Sequence, residues 1–194
     1  MIRILLALFI VSIVMSCQSP DQKVDKVEIA KEYIDALNDS DFNRITALFK
    51  DSIRMSELKY TSVLSQNEYY PLFQWDSTFH PVYKILKIEN EKEFVRMTVS
   101  KQCPRILFLN EEPVVTDEFV AFHDDKIKSI QIRNYVVFND EKWEENRANL
   151  TTWVEMNHPE FNGFLHDQTK KGASNYLQAI SLYQNYLQLP SESK

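Results

Sequence analysis

Alternating hydrophobic and polar positions mark two neighbouring stretches in the second half of the chain. Val114–His123 reads VVTDEFVAFH, Lys126–Val137 reads KIKSIQIRNYVV, and Asp124-Asp125 separates them. Alternation with a period of two is typical of β-strands, and two turn-forming residues between such strands are typical of a hairpin. The pattern predicts two long strands joined by a tight turn at Asp124-Asp125.

Pairing across this turn predicts which side chains share a face of the sheet. If His123 pairs with Lys126, a regular ladder places Val114 opposite Tyr135. One face then carries Val115, Asp117, Phe119 and Ala121 with Ile130, Ile132 and Asn134. The other carries Thr116, Glu118 and Val120 with Ser129, Gln131 and Arg133. We expect the first face to line the core, where the Asp117 carboxyl must be neutral, paired or hydrogen-bonded. A register shift of one residue would exchange the faces.

Two helices and a strand are predicted upstream of the hairpin. Apolar residues at helical spacing, with Tyr33 beside them, predict a first helix that stops at Asn38–Asp41. Its apolar positions are Val27, Ala30, Ile34 and Leu37. Asp41 is suited to cap a second short helix. The inward positions of that helix are Phe42, Ile45, Leu48 and Phe49. Ser52–Leu58 follows as a strand.

The middle of the chain contains an aromatic cluster and then further strands. Asn67–Phe79 predicts a third helix or a loop over the open end of the sheet, and core packing is the simplest role for its rings. These large residues are Tyr69, Tyr70, Leu72, Phe73, Trp75 and Phe79. Pro81–Glu89 and Glu93–Gln102 predict two strands, and Arg105–Asn110 is expected to continue the sheet before the hairpin.

A helical extension follows the hairpin. A helix is predicted to start at Asn139-Asp140 and to end at His158-Pro159, and Ser174 is expected to cap a last helix. The first helix has the stripe Phe138, Trp143, Arg147, Leu150, Trp153 and Val154, and the last has Tyr176, Ala179, Ile180, Tyr183 and Leu187. The elements together predict an α+β fold, with N-terminal helices packed on a curved antiparallel sheet and a C-terminal helical extension.

The N-terminus has the pattern of an export signal. Arg3 precedes the apolar run Ile4–Met15, which is short for a membrane-spanning helix. Val14–Cys17 resembles the bacterial lipobox, in which the cysteine is lipidated, although Met15 departs from the usual small residue. We therefore expect a signal peptide over 1–16, a tether over 17–26, the main domain over 27–138 and the extension over 139–194. This predicts a protein anchored to a membrane through Cys17 in the cell envelope, facing the periplasm or the exterior. An ordinary signal peptide or an uncleaved anchor are the alternatives.

Composition excludes several classes of function. The chain has 194 residues and a net charge of −6, and no basic stripe suggests nucleic acid as a partner. Only two glycines occur, Gly163 and Gly172, so a phosphate-binding loop and a dinucleotide-binding turn are excluded. No cofactor is predicted, and the four histidines lack the spacing of metal ligands. With Cys17 acylated, Cys103 would be alone and is expected to be a buried, inert thiol.

The order of elements and two motifs resemble the nuclear transport factor 2-like (NTF2-like) superfamily, which includes SnoaL-like proteins and ketosteroid isomerases. Glu32–Asp41 with Ala47–Phe49 is similar to the opening motif of that family, and Asp117–Phe119 through Asp125–Ile127 is similar to its final hairpin. The resemblance covers about residues 27–137 and implies a cone-shaped domain. The extension matches no motif of the family.

The resemblance also implies candidate catalytic residues. Tyr33 matches the oxyanion-hole tyrosine of ketosteroid isomerases, Asp117 the protonated aspartic acid, and Glu57 the general base, although that family has aspartate followed by proline there. Such a set would move a proton next to a carbonyl group while stabilising the enolate oxygen. Alternatively, Glu57 points to solvent and Asp117 pairs with Arg96 or Arg133.

The leading hypothesis is therefore a lipid-anchored domain outside the cytoplasm that binds a small, partly apolar ligand without catalysis. The expected pocket residues are Tyr33, Glu57, Trp75, Arg96 and Asp117. One alternative is proton transfer by Glu57 with Tyr33 and Asp117. Another is a non-catalytic interaction module of the envelope or a homodimer. In that case either Tyr176, Tyr183 or Trp153 occupies the cone, or a hydrophobic face of the sheet remains for a partner.

Overall fold

A computed structural model describes residues 25–190 of the protein, so the predicted signal peptide and Cys17 lie outside the described residues. The helices are α1 Lys26–Asn38, α2 Phe42–Leu48, α3 Gln66–Ser77, α4 Pro104–Asn110, α5 Asp140–Asn157 and α6 Lys170–Gln188. The strands are β1 Phe49–Glu57, β2 Tyr60–Ser65, β3 Val82–Asn90, β4 Phe94–Gln102, β5 Val114–His123 and β6 Lys126–Val137. A short 3-10 turn, Pro159–Phe161, follows α5.

The strands form one curved, open sheet in the order β2-β1-β6-β5-β4-β3. The β1–β6 pair is parallel and the other pairs are antiparallel, so the sheet is mixed rather than wholly antiparallel. Helices α1, α2 and α3 pack on its concave face, which confirms the predicted α+β class. Asp41 and Asn139 cap α2 and α5 as expected, because each side chain accepts a hydrogen bond from a backbone N–H of the first turn.

The hairpin turn is confirmed, and Ile130 and Ile132 of β6 face the core as predicted, but the predicted core face of β5 is wrong. Asp124 and Asp125 have φ of 50° and 56°, as a two-residue hairpin turn of this hand requires, and His123 pairs with Lys126. Register shifts then occur at three places along β5, including between Ala121 and Phe122. The extra residues, Lys128, Arg133 and Val136, all lie in β6. The first of them places Ile130 and Ile132 opposite Val120 and Glu118 instead of opposite Phe119 and Asp117. The side chains of β5 that face the core are Thr116, Glu118 and Val120, whereas Asp117, Phe119 and Ala121 face outwards.

Three other predictions require correction. Arg105–Asn110 lies in helix α4 and not in a strand, since Pro104 suits a first helical position and the Cys103 sulfur accepts a hydrogen bond from the backbone N–H of Ile106. Strand β2 was not predicted, and its first four residues, Tyr60–Val63, are all exposed, so it lacks the alternation of a half-buried strand. The last helix starts at Lys170, where Thr169 provides the cap expected of Ser174.

Two hydrophobic cores lie side by side. The first is enclosed between α1–α3 and the sheet. The second joins α4, α5 and α6 to Phe79 and Val114 of the cone, so the extension is packed on the main domain. All residues assigned to the two cores lie within 25–190. A protein of residues 18–194 therefore keeps both cores and is suited to experiments in solution. Within residues 25–190, no helix is both long enough and apolar enough to cross a bilayer.

Candidate functional site

The concave face of the sheet encloses a pocket of about 560 Å³ beneath α1 and α3. Its wall is mostly apolar and aromatic, with a few polar groups directed inwards. The aromatic lining residues are Tyr33, Tyr69, Phe73, Trp75, Tyr83, Tyr135, Phe138 and Trp143. A smaller cleft of about 230 Å³ lies between α5 and residues 162–166, but its ionisable side chains, Glu155 and His166, are exposed. The larger pocket is therefore the candidate site.

Glu118 is the carboxylic acid that the sheet directs into the pocket. It lies in the middle of β5, is only 9% exposed, and accepts a hydrogen bond of 2.9 Å from the Thr116 hydroxyl. Burial raises the pKa of Glu118, while the Thr116 hydrogen bond and the charge of Lys101 oppose that rise. A carboxyl group with a raised pKa can hold a proton closer to neutral pH than an ordinary glutamic acid can, and can therefore donate a hydrogen bond or a proton.

Asp76 is a second acid in the pocket, and its charge is already neutralised. Lys101 Nζ and the Tyr83 hydroxyl donate hydrogen bonds of 2.7 Å each to its two carboxylate oxygens. Burial alone would raise the pKa of Asp76, but these two partners and the positive charge of Arg105 together lower it. Asp76 and Lys101 thus form an ion pair that is ionised at neutral pH and leaves no net charge.

Tyr33 and Tyr69 form a buried pair of phenols beside these acids. Both rings are 4% exposed, and burial raises the pKa of both hydroxyls. Their hydroxyls therefore stay protonated at physiological pH and can serve as hydrogen-bond donors.

Arg105 provides a second positive charge on the pocket wall, beside Trp75. It lies in the first turn of α4, and its guanidinium carbon is 5.0 Å from the ring centre of Trp75, 5.2 Å from Phe79 and 5.4 Å from Trp143. Its Nε atom is buried and has no hydrogen-bond partner among the described residues. Three rings therefore hold a cation whose N–H donors are not satisfied by the protein.

The structure brings together some of the predicted site residues and separates others. Tyr33, Glu57 and Trp75 line the pocket, with Glu57 exposed at its rim, where it accepts a hydrogen bond from the Tyr135 hydroxyl. Asp117 and Arg96 lie on the outer face of the sheet. There Arg96 donates a hydrogen bond of 3.0 Å to Asp117, and Thr98 donates one of 2.9 Å. The predicted set of Tyr33, Glu57 and Asp117 therefore does not converge on one point.

Four ionisable residues of the pocket were not indicated by the sequence, namely Asp76, Lys101, Arg105 and Glu118. Glu118 was assigned to the wrong face, and Arg105 to a strand. Asp76 offered a signal, since it directly follows Trp75 within the aromatic segment predicted to cover the sheet. Its partner Lys101 is separated from it by 25 residues and carries no local mark.

The C-terminal helices border the pocket and do not fill it. Tyr176, Tyr183 and Trp153 are absent from its lining. Tyr176 instead packs on Phe79 and on Phe164, with ring centres 5.9 and 4.7 Å apart. The interaction-module hypothesis in which one of these three rings occupies the cone is therefore wrong. The extension contributes Trp143 and Gln168 to the pocket wall.

Residues 25–190 contain no group of three or more His, Cys, Asp or Glu side chains arranged to hold a metal ion. Cys103 is a free, buried thiol in the described range.

Comparison with known proteins supports the fold and extends no further. No protein-family model matches the sequence, and no curated protein is significantly similar to it. A solved structure from Kribbella flavida is 13% identical, with a TM-score of 0.50 over 63% of this chain and 93% of that chain. An NTF2-like protein of unknown function from Cytophaga hutchinsonii is 11% identical, with a TM-score of 0.47 over 59% of this chain and 93% of that chain. A SnoaL-like protein of unknown function from Burkholderia thailandensis is 12% identical, with a TM-score of 0.46 over 56% of this chain and 92% of that chain. The likeness to the NTF2-like and SnoaL-like structures is one of fold alone, and it agrees in kind with the resemblance seen in the sequence.

Proposed function

We propose that the protein binds a small, partly apolar molecule in the cone pocket, without catalysis, while anchored by a lipid outside the cytoplasm. The observation that carries the binding proposal is the open volume of about 560 Å³ among aromatic rings. Small-molecule sites in proteins have this size, and they combine an apolar wall with a few polar groups that orient the ligand. Tyr33, Glu118 and Arg105 are polar groups that can serve this purpose.

Titration with N-phenyl-1-naphthylamine tests the binding proposal. This neutral dye becomes fluorescent in apolar sites, so residues 18–194 are expected to bind it saturably with one site per chain. Met55→Trp places a bulkier side chain on the pocket wall and should weaken binding by at least about tenfold. Val63→Trp is the matched control, since Val63 is exposed on the adjacent strand opposite Arg54. No saturable binding, or equal loss in both variants, would overturn the proposal.

The lipid anchor is supported by the sequence pattern at Val14–Cys17. It is tested by expressing the full chain in bacteria supplied with a labelled fatty acid. The wild type should incorporate the label and partition with membranes, whereas Cys17→Ala should do neither. Equal labelling of both proteins would remove lipidation at Cys17 from the account.

Proton transfer is the second candidate function, and the burial of the Glu118 carboxyl in the pocket favours it. A buried carboxyl with a raised pKa, close to the Tyr33 hydroxyl, is suited to exchange a proton with a bound ketone. Conversion of 3-cyclohexenone to its conjugated isomer, followed by absorbance, tests this activity. The wild type should accelerate the isomerisation and Glu118→Gln should abolish the acceleration. A Glu118→Gln variant as active as the wild type would exclude Glu118 as the catalytic residue.

A further inference from the structure

Arg105 forms no ion pair with residues 25–190, and its buried Nε donates no hydrogen bond to them, although its charge acts on Asp76 at longer range. Its contacts are the three aromatic faces of Trp75, Phe79 and Trp143. Cation–π contacts attract the charge of a guanidinium, but they leave its N–H groups without acceptors. A buried donor without an acceptor costs free energy, and that cost is higher when the donor is charged. The Nε atom of Arg105 is in this state.

The acids of the pocket do not neutralise Arg105, because each already has another partner. Asp76 is held by Lys101 and Tyr83. Glu118 accepts from Thr116, and burial favours its neutral form. Glu57 accepts from Tyr135 at the rim. Because Lys101 is paired with Asp76, Arg105 is the cation of the pocket wall that forms no ion pair with the described residues.

We propose that Arg105 binds the anionic head of the ligand, and that the ligand is a partly apolar carboxylic acid. This inference rests on the proposed function, since it names the chemical class bound at the same site. A guanidinium presents parallel N–H groups that match the two oxygens of a carboxylate. The apolar body of such an acid would lie along the aromatic wall formed by Tyr69, Phe73 and Trp75.

The C-terminal extension takes part in this recognition. Trp143 lies in α5 and is the third ring around the guanidinium, whereas Trp75 and Phe79 belong to the cone. The rings restrict the rotamers of a long side chain, so less conformational entropy is lost when Arg105 binds an anion. The extension therefore helps to hold the anion-binding group in place before the ligand arrives.

Displacement of N-phenyl-1-naphthylamine by two matched probes tests the inference at neutral pH. The probes are 6-phenylhexanoate and 6-phenylhexan-1-ol, which share an apolar body and differ in the charged head. In the wild type the acid should displace the dye at a concentration at least about tenfold lower than the alcohol does. Arg105→Met should remove this preference while the alcohol still displaces the dye. Arg105→Lys should retain part of it.

Arg96→Met is the matched control, because it removes a guanidinium from the outer face of the sheet, away from the pocket. It should leave the preference for the acid unchanged. Equal displacement by acid and alcohol in the wild type would overturn the inference and leave the proposed function standing. A preference that survives in Arg105→Met, shown folded by its retained dye binding, would also overturn it. Failure of the dye to bind the wild type would remove the proposed function and the inference together.

Discussion

Leu150 of α5 offers the sharpest test of whether the extension and the cone form one folding unit. Leu150 is 0% exposed and lies in the second core, with Phe79 and Val114 of the cone among the residues of that core. Leu150→Ala removes three carbon atoms from the core. At about 0.8 kcal/mol for each buried methylene the transfer loss is about 2.5 kcal/mol. The cavity left behind brings the expected loss of unfolding free energy to about 3–4 kcal/mol.

Urea unfolding of residues 18–194, followed by circular dichroism and by tryptophan fluorescence, measures this loss. The account predicts a lower midpoint, an unchanged slope and coincident transitions by the two probes. Leu107→Ala is the control, because Leu107 is 43% exposed on α4 and should cost less than about 1 kcal/mol. Equal losses for the two variants, or an early transition seen by fluorescence alone, would refute the view that the extension shares the core of the cone.

Three further predictions concern ionisable groups. Burial raises the pKa of Glu118, so the folded state binds its proton more tightly than the unfolded chain does. The free energy of unfolding should therefore fall as the pH rises above the ordinary carboxyl range, by about 1.4 kcal/mol for each unit by which the pKa is raised. Glu118→Gln should reduce this fall, as measured by urea midpoints. Lys101→Met leaves the Asp76 carboxylate without its cation and should cost about 2–3 kcal/mol in urea unfolding, part of which Asp76→Asn should restore. Asp117→Asn acts on the outer face only, so it should cost less than about 1 kcal/mol and leave dye affinity unchanged; a loss of dye binding would contradict its placement.

The sequence carried enough signal to predict the order of elements and the class of fold. Periodicity indicated α1, α5 and the long hairpin, and the Asp124-Asp125 turn fixed the first pair of β5 and β6. These features are local, since caps, turns and amphipathic stripes are determined by residues a few positions apart. Fold class follows from such local features when they agree with each other.

The candidate site was harder to predict because it depends on register and on distant contacts. Extra residues in β6 place Ile130 and Ile132 opposite Val120 and Glu118, so the core face of β5 carries Glu118 and not Asp117. No residue type in the two strands indicates such a bulge. Tyr33, Glu57 and Trp75 do line the pocket. The family resemblance indicated Tyr33 and Glu57, and the aromatic segment over the open end of the sheet indicated Trp75. The Arg105 cage combines α3, α4 and α5, which only the tertiary structure brings together.

The most direct test of the central claim is to record where a ligand perturbs the three tryptophans. Their indole N–H resonances can be assigned in residues 18–194 by Trp→Phe substitution and followed by NMR during titration with N-phenyl-1-naphthylamine. Trp75 and Trp143 line the pocket, whereas Trp153 packs between α5 and α6 against Tyr183. The account predicts saturable shifts of the Trp75 and Trp143 resonances with Trp153 unchanged. Shifts confined to Trp153, or no shift of any of the three, would contradict ligand binding in the cone.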